Sequence, residues 1–472
     1  MCALPILVSD FPTTVEIAEP ETGREVCYDE LIHLIHRAAE GLRALHLPRL
    51  ARVVIAEKSG LDTLVGLFAC WQVGLVAVCV NPNLKPDEQS RVVRAVNAGA
   101  WLGQTELKFP KLAHGVDTAP LGPDDPALIL MTSGTTGIPK GVTHSLHGLR
   151  SRASLNIAEI GRDTLCRTLC ILPVFFGHGL IGNCLTPLLA GGRLILWPSP
   201  GFRVLGGFGA MLDQQAISFF SSVPTFWKMA LQISPRPANV PARVHVGSAP
   251  LSIGLWQDIA DWLGGGEVFN TYGMTETANW ISGGALSDAQ GQGGYVGRAW
   301  GGTLAVYANG RVKAEGRGEV LVNSPTIMQG YWQGADNPNA HFYGEWLRTG
   351  DIGEISQGQL TLVGRIKSEI NRAGIKVLAE EIDMLLERHP DVSEACAFGI
   401  PDPVAGEQVA VAVVAGPNTA VSDLIAWCRT QCRAEAVPSM IFGMPSLPRN
   451  DRGKVVRSEI RALCIGLDDQ DV

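Results

Sequence analysis

The stretch Ala127-Leu-Ile-Leu-Met-Thr-Ser-Gly-Thr-Thr-Gly-Ile-Pro-Lys-Gly141 runs from an apolar segment into a glycine-rich loop. Its continuous apolar start predicts a strand that is buried on both faces. Glycines let backbone N–H groups approach a phosphate closely, while Ser133, Thr135, Thr136 and Lys140 supply donors and positive charge. The loop lacks the Gly-Lys-Ser/Thr order of a Walker loop, because Lys140 stands between a proline and a glycine. A phosphate-binding loop of another kind is predicted, with an ordinary polar turn as the alternative.

Strands and helices alternate on both sides of this segment. Short continuous apolar runs followed by helical spacing indicate an α/β fold whose parallel sheets are covered by helices. The predicted strands are Ala51–Glu57, Leu75–Val80, Thr168–Leu172, Arg193–Trp197, Ile217–Ser221, Arg243–Val246 and Glu267–Asn270. The predicted helices are Leu61–Val73, Leu180–Leu189, Leu205–Gln214, Thr225–Leu231 and Leu251–Trp262.

The pattern changes twice toward the C-terminus. Between Gly297 and Val363, short strands separated by glycine turns predict a β-rich antiparallel appendage. After Gly364, a block of about a hundred residues has strand patterns and a helix at Ala379–Arg388, enough for a small α+β domain. We therefore expect a large N-terminal α/β domain over residues 1–364 and a small C-terminal lid domain over residues 367–472.

The composition argues against several classes of protein. The chain has 472 residues, a formal net charge of −8 and a pI near 5.7, whereas a nucleic-acid-binding surface normally brings a basic excess. No run of about twenty apolar residues is present, so no membrane span is predicted. The N-terminal segment lacks the basic start of a secretory signal and meets Asp10 and Glu16 early. A cytoplasmic protein is expected.

Further motifs follow the glycine-rich loop along the chain. They are Asn270-Thr-Tyr-Gly-Met-Thr-Glu-Thr277, Leu347-Arg-Thr-Gly-Asp351, Gly364-Arg-Ile-Lys367 and Asn450-Asp-Arg-Gly-Lys454. Together with Ser133–Gly141 they resemble, in the same order, the motifs of the adenylate-forming superfamily of acyl- and aryl-CoA synthetases, peptide-synthetase adenylation domains and beetle luciferases. The resemblance covers the chain from about Pro126 to its C-terminus and extends more weakly toward Tyr28. It implies activation of a carboxylic acid by ATP as an acyl-adenylate, with release of pyrophosphate.

The resemblance implies which residues carry the catalysis. Lys454, on the lid, would bridge the carboxylate of the acid and the α-phosphate of ATP. An ammonium group beside two anions is worth several kcal/mol at an effective dielectric constant of about 20, which is the scale of a large rate effect. Thr275 would contact phosphate, and Glu276 would be the ligand of Mg²⁺, a hard cation that prefers oxygen. Lys367 would mark a hinge at residues 365–368, about which the lid rotates between two half-reactions.

The same resemblance implies a nucleotide site. Tyr272 and Gly273 would form a wall for adenine, Asp351 would accept both ribose hydroxyls, and Arg365 would make a second ribose or phosphate contact. The complete set of nucleotide-binding residues that it implies is Thr132, Ser133, Gly134, Thr135, Thr136, Gly137, Lys140, Ser248, Ala249, Pro250, Asn270, Thr271, Tyr272, Gly273, Asp351 and Arg365.

The acid would lie against less specific motifs. Leu172-Pro-Val-Phe-Phe-Gly-His-Gly-Leu180 resembles the family's Pro-x-Phe-His-x-x-Gly element, with Phe176 at the usual histidine position and His178 two residues later. His178 either faces the acid or is simply packed. No Asp occurs in residues 175–178, where relatives that activate amino acids place a partner for the amine, so an α-amino acid is disfavoured. An aryl or medium-sized acyl group is expected. The implied pocket residues are Phe176, His178, Val223, Gly247, Ser248, Gly273 and Met274.

Departures from the family pattern leave the acceptor and the outer pocket open. Asn371-Arg-Ala-Gly-Ile-Lys376 replaces the Gly-Gly-Glu run of many CoA synthetases, and the segment before the phosphate loop is shorter than is typical. ATP, Mg²⁺ and CoA are the expected cofactors, with a carrier-protein arm or an amine as alternative acceptors. A non-catalytic nucleotide-binding relative is the alternative from another class, and the intact Glu276, Asp351, Arg365 and Lys454 count against it. The sequence leaves the oligomeric state open.

Overall fold

The computed structural model describes residues 6–103, 119–132, 140–197, 202–332, 341–417, 419–450 and 454–468. The strands are β1 Glu16–Glu19, β2 Arg24–Cys27, β3 Arg52–Ile55, β4 Val76–Cys79, β5 Ala98–Leu102, β6 Pro126–Thr132, β7 Lys140–Ser145, β8 Arg167–Cys170, β9 Arg193–Leu196, β10 Phe219–Ser222, β11 Arg243–Gly247, β12 Glu267–Met274, β13 Asn279–Ala285, β14 Tyr295–Ala299, β15 Thr303–Ala308, β16 Arg311–Lys313, β17 Gly316–Asn323, β18 Gly330–Trp332, β19 Phe342–Tyr343, β20 Trp346–Ser356, β21 Gln359–Arg365, β22 Glu369–Arg372, β23 Ile375–Leu378, β24 Val392–Asp402, β25 Gly406–Ala415 and β26 Met440–Gly443. The α-helices are α1 Ile6–Ser9, α2 Tyr28–Arg43, α3 Gly60–Gln72, α4 Pro86–Val96, α5 Leu146–Ile160, α6 Thr186–Ala190, α7 Phe202–Leu205, α8 Phe208–Gln214, α9 Pro224–Ile233, α10 Ile253–Leu263, α11 Ala379–Leu386, α12 Val421–Gln431 and α13 Arg457–Asp468.

The first sheet carries the strands on either side of the glycine-rich loop. Its order is β18-β7-β6-β4-β3-β5, with β5, β3, β4 and β6 parallel and with β7 and β18 antiparallel to their neighbours. α3 is buried along nearly its whole length, because it packs in one apolar cluster with residues of this sheet and of β1 and β9 in the next sheet. A helix that is apolar on all sides fits such a position between two sheets.

The second sheet combines the predicted parallel region with the β-rich appendage. Its order is β16-β15-β17-β20-β21-β14-β13-β12-β11-β10-β8-β9-β1-β2, and β19 pairs with β20. The six strands β12, β11, β10, β8, β9 and β1 are parallel to one another. At one end of this run β2 pairs antiparallel with β1, and at the other end the strands from β13 to β16 pair antiparallel with their neighbours. This arrangement confirms the predicted α/β class.

Some predicted elements have different bounds in the structure. The helix expected at Leu180–Leu189 begins instead as a wide π-type segment, His178–Leu185, and continues as α6. The helix expected at Leu205–Gln214 is two short helices, α7 and α8, interrupted at Gly206 and Gly207, which are poor helix formers. The strand expected at Glu267–Asn270 continues to Met274.

A small C-terminal domain follows β21. A single turn, Ile366–Ser368, leads into a sheet of order β23-β22-β25-β24, with β26 parallel to β25. Apolar side chains of this sheet and of α11 and α12 form a separate core. Among the described segments, no helix has the length and apolar character needed to cross a membrane.

Candidate active site

A cavity of about 390 Å³ lies where the segments following β8, β10 and β11 meet the end of β12 and the C-terminal domain. Ligand sites of α/β sheets commonly form at the carboxyl ends of parallel strands, because successive loops converge there. The apolar part of the lining is Leu130, Met131, Ile171, Leu172, Phe175, Phe176, Val223, Phe226, Met229, Met274 and Trp280. The polar part includes Thr225, Ser248, Thr271, Thr275, Asn279, His178 and Lys454.

Lys454 is the contribution of the C-terminal domain to this cavity. Its polar turn is closed by the isolated bridge between Arg449 and Val455. Within the turn, the Asn450 N–H donates to the Lys454 carbonyl at 2.9 Å, and the Lys454 N–H donates to Asn450 Oδ1 at 3.0 Å. The structure therefore brings the lysine of the last sequence motif to the same cavity as Thr275 of the second motif.

His178 joins the cavity wall to the strand ends beneath it. Its Nδ1 lies 2.7 Å from Ser248 Oγ, its Nε2 lies 2.6 Å from Ser221 Oγ, and the indole N–H of Trp280 donates to Nε2 at 3.2 Å. Because an indole can only donate, Nε2 is an acceptor and the proton of the neutral ring lies on Nδ1. Burial, and secondarily the charge of Lys454, lowers the pKa of His178 to about 3. His178 is therefore both packed and part of the pocket, and it is uncharged at neutral pH.

Asp351 is a buried carboxylate held by two donors. It faces Arg365 across β20 and β21, and the guanidinium Nε of Arg365 donates to its Oδ1 at 2.6 Å. The hydroxyl of Tyr272 donates to its Oδ2 at 2.6 Å. Burial and the nearby carboxylate raise the pKa of Tyr272, so the phenol stays protonated and remains a donor. An ionised carboxylate retains further acceptor sites on each oxygen, which suits it to the two hydroxyls of a ribose.

A second polar corner lies at the base of the glycine-rich loop. Thr132 and Lys140 pair across β6 and β7, and the hydroxyl of Thr132 donates to the Lys140 carbonyl at 3.2 Å. The Lys140 ammonium lies 5.2 Å from the centre of the Tyr331 ring, whose hydroxyl donates to Glu276 Oε1 at 2.8 Å. The predicted loop residues between these strands, Ser133, Gly134, Thr135, Thr136 and Gly137, lie outside the described residues.

The Thr275–Thr277 turn next to this corner is fixed by a buried histidine. Nε2 of His144 lies 2.8 Å from the Thr275 carbonyl and must donate to it, because a carbonyl oxygen can only accept. Burial lowers the pKa of His144 to about 4, which keeps the ring neutral. The turn carries Thr275, the predicted phosphate contact, and Glu276, whose carboxylate is a hard oxygen ligand of the kind that Mg²⁺ accepts.

The described residues contain no cluster of three or more His, Cys, Asp or Glu side chains that could hold a metal by itself. A Mg²⁺ site at Glu276 therefore fits only if other oxygens complete it. Mg²⁺ commonly binds through one or two carboxylates together with substrate phosphates, so the available donors fit a metal that arrives with ATP.

The remaining predicted nucleotide residues lie in β12 or directly after β11, and Ser248, Thr271 and Gly273 among them line the cavity. Asn270 is buried, and its amide donates to the Tyr295 carbonyl at 2.8 Å, so it braces β12 and β14. Gly273 has no room for a side chain, since a Cβ there would lie 2.2 Å from the Asn279 carbonyl oxygen. Gly247 is confined similarly by Thr271. Six of the seven predicted pocket residues line the cavity, and Gly247 lies outside the lining. The predicted nucleotide residues Ala249 and Pro250 also lie outside it.

Several side chains of the site were missed by the sequence analysis. Asn279 and Trp280 lie two and three residues after the second motif and line the cavity, and Tyr331 reaches Glu276 from β18. The proximity of Trp280 and Asn279 to a recognised motif was a usable signal. Tyr331 lies 55 residues from its partner, and nothing in its local pattern marks the contact.

Comparison with known proteins assigns these features to one family. The sequence model described as "AMP-binding enzyme" matches residues 8–332, and the one described as "AMP-binding enzyme C-terminal domain" matches residues 381–454. An oxalate–CoA ligase of Arabidopsis thaliana is 34% identical over 349 residues, which span 71% of this chain and 67% of that protein. The long-chain-fatty-acid–CoA ligase FadD13 of Mycobacterium tuberculosis (strain ATCC 25618 / H37Rv) is 28% identical over 489 residues, covering 95% of both chains.

A solved structure shares the fold over almost the whole length. It is the o-succinylbenzoate CoA synthetase of Bacillus subtilis in complex with an acyl-adenylate, with a TM-score of 0.85, 22% sequence identity, and coverage of 97% of this chain and 98% of that one. The activity that these comparisons support is AMP-forming ligation of a carboxylic acid to CoA with ATP and Mg²⁺. The chain belongs to the adenylate-forming family of AMP-binding enzymes.

Proposed function

We propose that this chain forms the CoA thioester of a monocarboxylic acid whose body is uncharged and mainly apolar. The observation that carries the proposal is the cavity in which Lys454 of the lid and Thr275 of the core line the same space as Phe176, Trp280 and neutral His178. It supplies one cationic group for the reacting carboxylate and an apolar wall for the rest of the acid.

In the first half-reaction, a carboxylate oxygen attacks the α-phosphorus of ATP, the bond to the β-phosphate oxygen breaks, and pyrophosphate leaves. Lys454 would stabilise the negative charge shared by the carboxylate and the α-phosphate. Asp351, held by Tyr272 and Arg365, would fix the ribose, so that the α-phosphate stands at the mouth of the cavity. Mg²⁺ held between Glu276 and the ATP phosphates would supply positive charge against the leaving pyrophosphate.

In the second half-reaction, the thiol sulfur of CoA attacks the acyl carbonyl, the bond to the AMP oxygen breaks, and the thiol proton passes to solvent. We assign this step to a second orientation of the lid, because Lys454 already fills one side of the cavity in this orientation. The proposed domains are residues 1–364 and 367–472, with the hinge at residues 365–368. Lys367 is exposed in the single turn between them, where a change of backbone angles disturbs little packing.

The class of acid follows from the charges at the cavity wall. Among the described lining residues, Lys454 is the charged side chain, and it is committed to the reacting carboxylate. His178 offers no open nitrogen to a second carboxylate, because Ser248 engages its Nδ1 and Ser221 and Trp280 engage its Nε2. Burying a second charge without a partner costs several kcal/mol. A cavity of about 390 Å³ accommodates an aryl or a medium-length acyl body.

The test is a panel of acids assayed by pyrophosphate release with and without CoA, with mass spectrometry of the products. Benzoate, 3-phenylpropanoate, hexanoate and octanoate represent the proposed class. Oxalate, succinate, 4-carboxybenzoate and phenylalanine add a second charge of either sign. We expect turnover of the first group to exceed that of the second by at least about 100-fold, the scale of a buried unpaired charge. ADP and phosphate as products would refute the mechanism, and a carrier protein or amine replacing CoA would refute the acceptor.

A further inference from the structure

A pair of side chains joins the wall of the cavity to the lid. Lys228 lies on α9, and its ammonium contacts Glu394 Oε1 of β24 at 2.9 Å and the Ser393 carbonyl at 3.2 Å. Glu394 is well shielded, with 15% of its side chain exposed. Ion pairs at partly buried positions are less weakened by solvent and salt than exposed ones.

The same carboxylate oxygen of Glu394 holds the turn that carries Lys454. Nη2 of Arg449 donates to it at 2.6 Å, and Arg449 is the first residue of the bridge that closes this turn. Glu394 is therefore shared between a lysine of the large domain and an arginine of the lid. The first contact crosses the domain boundary, whereas the second lies within the lid.

The helix that carries Lys228 also forms the wall of the acid site. Val223, immediately before α9, and Thr225, Phe226 and Met229 within it line the cavity. An acid packed against this wall fixes the helix, and the helix presents Lys228 to the lid. Contacts thus run from the acid site through Lys228 and Glu394 to Arg449, whose bridge to Val455 closes the turn that carries Lys454.

We propose that Glu394 is a positioning residue that fastens the lid in the orientation for adenylate formation and couples its closure to the acid site. The inference rests on the proposed rotation of the lid. Rotation about residues 365–368 must separate Lys228 from Glu394, because they lie in different domains, whereas the pair of Glu394 with Arg449 moves as a unit. Loss of the Lys228 contact therefore destabilises the lid orientation for the first half-reaction and does not destabilise the lid orientation for the second.

The test compares both half-reactions in Glu394→Gln, Lys228→Met and Lys228→Arg. ATP–pyrophosphate exchange measures the first, and thioester formation from pre-made acyl-adenylate and CoA measures the second. Glu381→Gln is the matched control, since Glu381 pairs with Arg317 across the same boundary at 2.6 Å but is more exposed and lies away from the lysine turn. We expect Glu394→Gln and Lys228→Met to slow exchange about 3- to 10-fold, the scale of a partly buried ion pair, without slowing thioester formation. Lys228→Arg and Glu381→Gln should stay within about twofold of wild type.

Three results would overturn the proposal: equal losses in both half-reactions, an unchanged exchange rate in Lys228→Met, or an effect of Glu381→Gln as large as that of Glu394→Gln. Lys228→Met keeps the result decisive if Glu394→Gln unfolds the lid, because Lys228 lies outside it. Failure of the proposed function gives a different result. If the wild-type protein exchanged pyrophosphate with no acid of the panel, the proposed function itself would be wrong, whatever the role of Glu394.

Discussion

Replacement of Lys454 by alanine tests the central assignment. The change removes the ammonium that the lid brings to the cavity and leaves the backbone of its turn, whose bonds to Asn450 use main-chain atoms of residue 454. A unit charge about 4 Å from another at an effective dielectric constant near 20 contributes about 4 kcal/mol. We therefore expect adenylate formation to slow by about 1,000-fold, within a range of two to four powers of ten.

The assay separates the two half-reactions. ATP–pyrophosphate exchange should show the loss, whereas thioester formation from pre-made acyl-adenylate should remain near the wild-type rate, because the proposed rotation of the lid removes Lys454 from the reacting atoms. Lys454→Arg is the control that keeps the charge, and circular dichroism checks that the lid remains folded. Exchange near the wild-type rate in Lys454→Ala would show that the catalytic cation lies elsewhere, and equal losses in both steps would contradict the alternating lid.

Lys367→Pro should mainly slow thioester formation, because proline fixes φ in the turn where the rotation is assigned, and the ratio of the two half-reaction rates measures this. Tyr272→Phe should raise KM for ATP about tenfold with a smaller change in kcat, because it removes one hydrogen-bond donor from buried Asp351. A KM for ATP within twofold of wild type would contradict the proposed role of Asp351 in binding the ribose. Burial lowers the pKa of His144 and of His245 below 6.5, the value of a free histidine. Between pH 6.5 and about 4 these side chains therefore bind protons in the unfolded chain but not in the folded one. The free energy of unfolding should fall as the pH drops through this range. Each histidine lowers the free energy of unfolding by about 1.4 kcal/mol per pH unit in this range. Denaturant titrations at pH 7.5 and 5.5 should therefore show a smaller loss of stability in His245→Gln than in the wild type.

Local sequence patterns were sufficient to predict several buried elements, among them the strand that leads into the glycine-rich loop. The apolar run before the glycine-rich loop is β6, and the buried helix predicted at Leu61–Val73 is α3, displaced by one residue at each end. Continuous apolar strands are visible in sequence because burial on both faces removes the polar alternation. The wide turn of His178–Leu185 was not predictable in this way, since its i→i+5 bonding leaves no distinct composition.

The motifs predict roles for single residues, whereas the contacts between those residues appear only in the structure. Asp351 and Arg365 were assigned separately to the nucleotide, and their pairing across β20 and β21 appears only in the register of the strands. Tyr272 was expected as a flat wall for adenine, whereas its hydroxyl also donates to Asp351. The contact of Lys228 with Glu394 depends on how two domains dock, 166 residues apart, and no local spacing encodes it.

The proposed position of the hinge is supported by the contacts that hold the residues on either side of it. Arg365 is the last residue of β21 and is fixed by its side chain to Asp351, so a bound ribose that reinforces this carboxylate also fixes the end of the strand. Its backbone N–H donates to Glu380 Oε2 of α11 at 3.3 Å, and the other oxygen of Glu380 pairs with Arg457 of the lid at 3.0 Å. When the lid turns, the long bond to Glu380 can break without disturbing the pair of Arg365 with Asp351. The proposed hinge at residues 365–368 thus includes Arg365 and the three residues after it, which form a turn with no buried side chain. On the proposed roles, nucleotide binding and lid rotation meet at Arg365, and the nucleotide would stay bound while the lid changes its orientation between the two half-reactions.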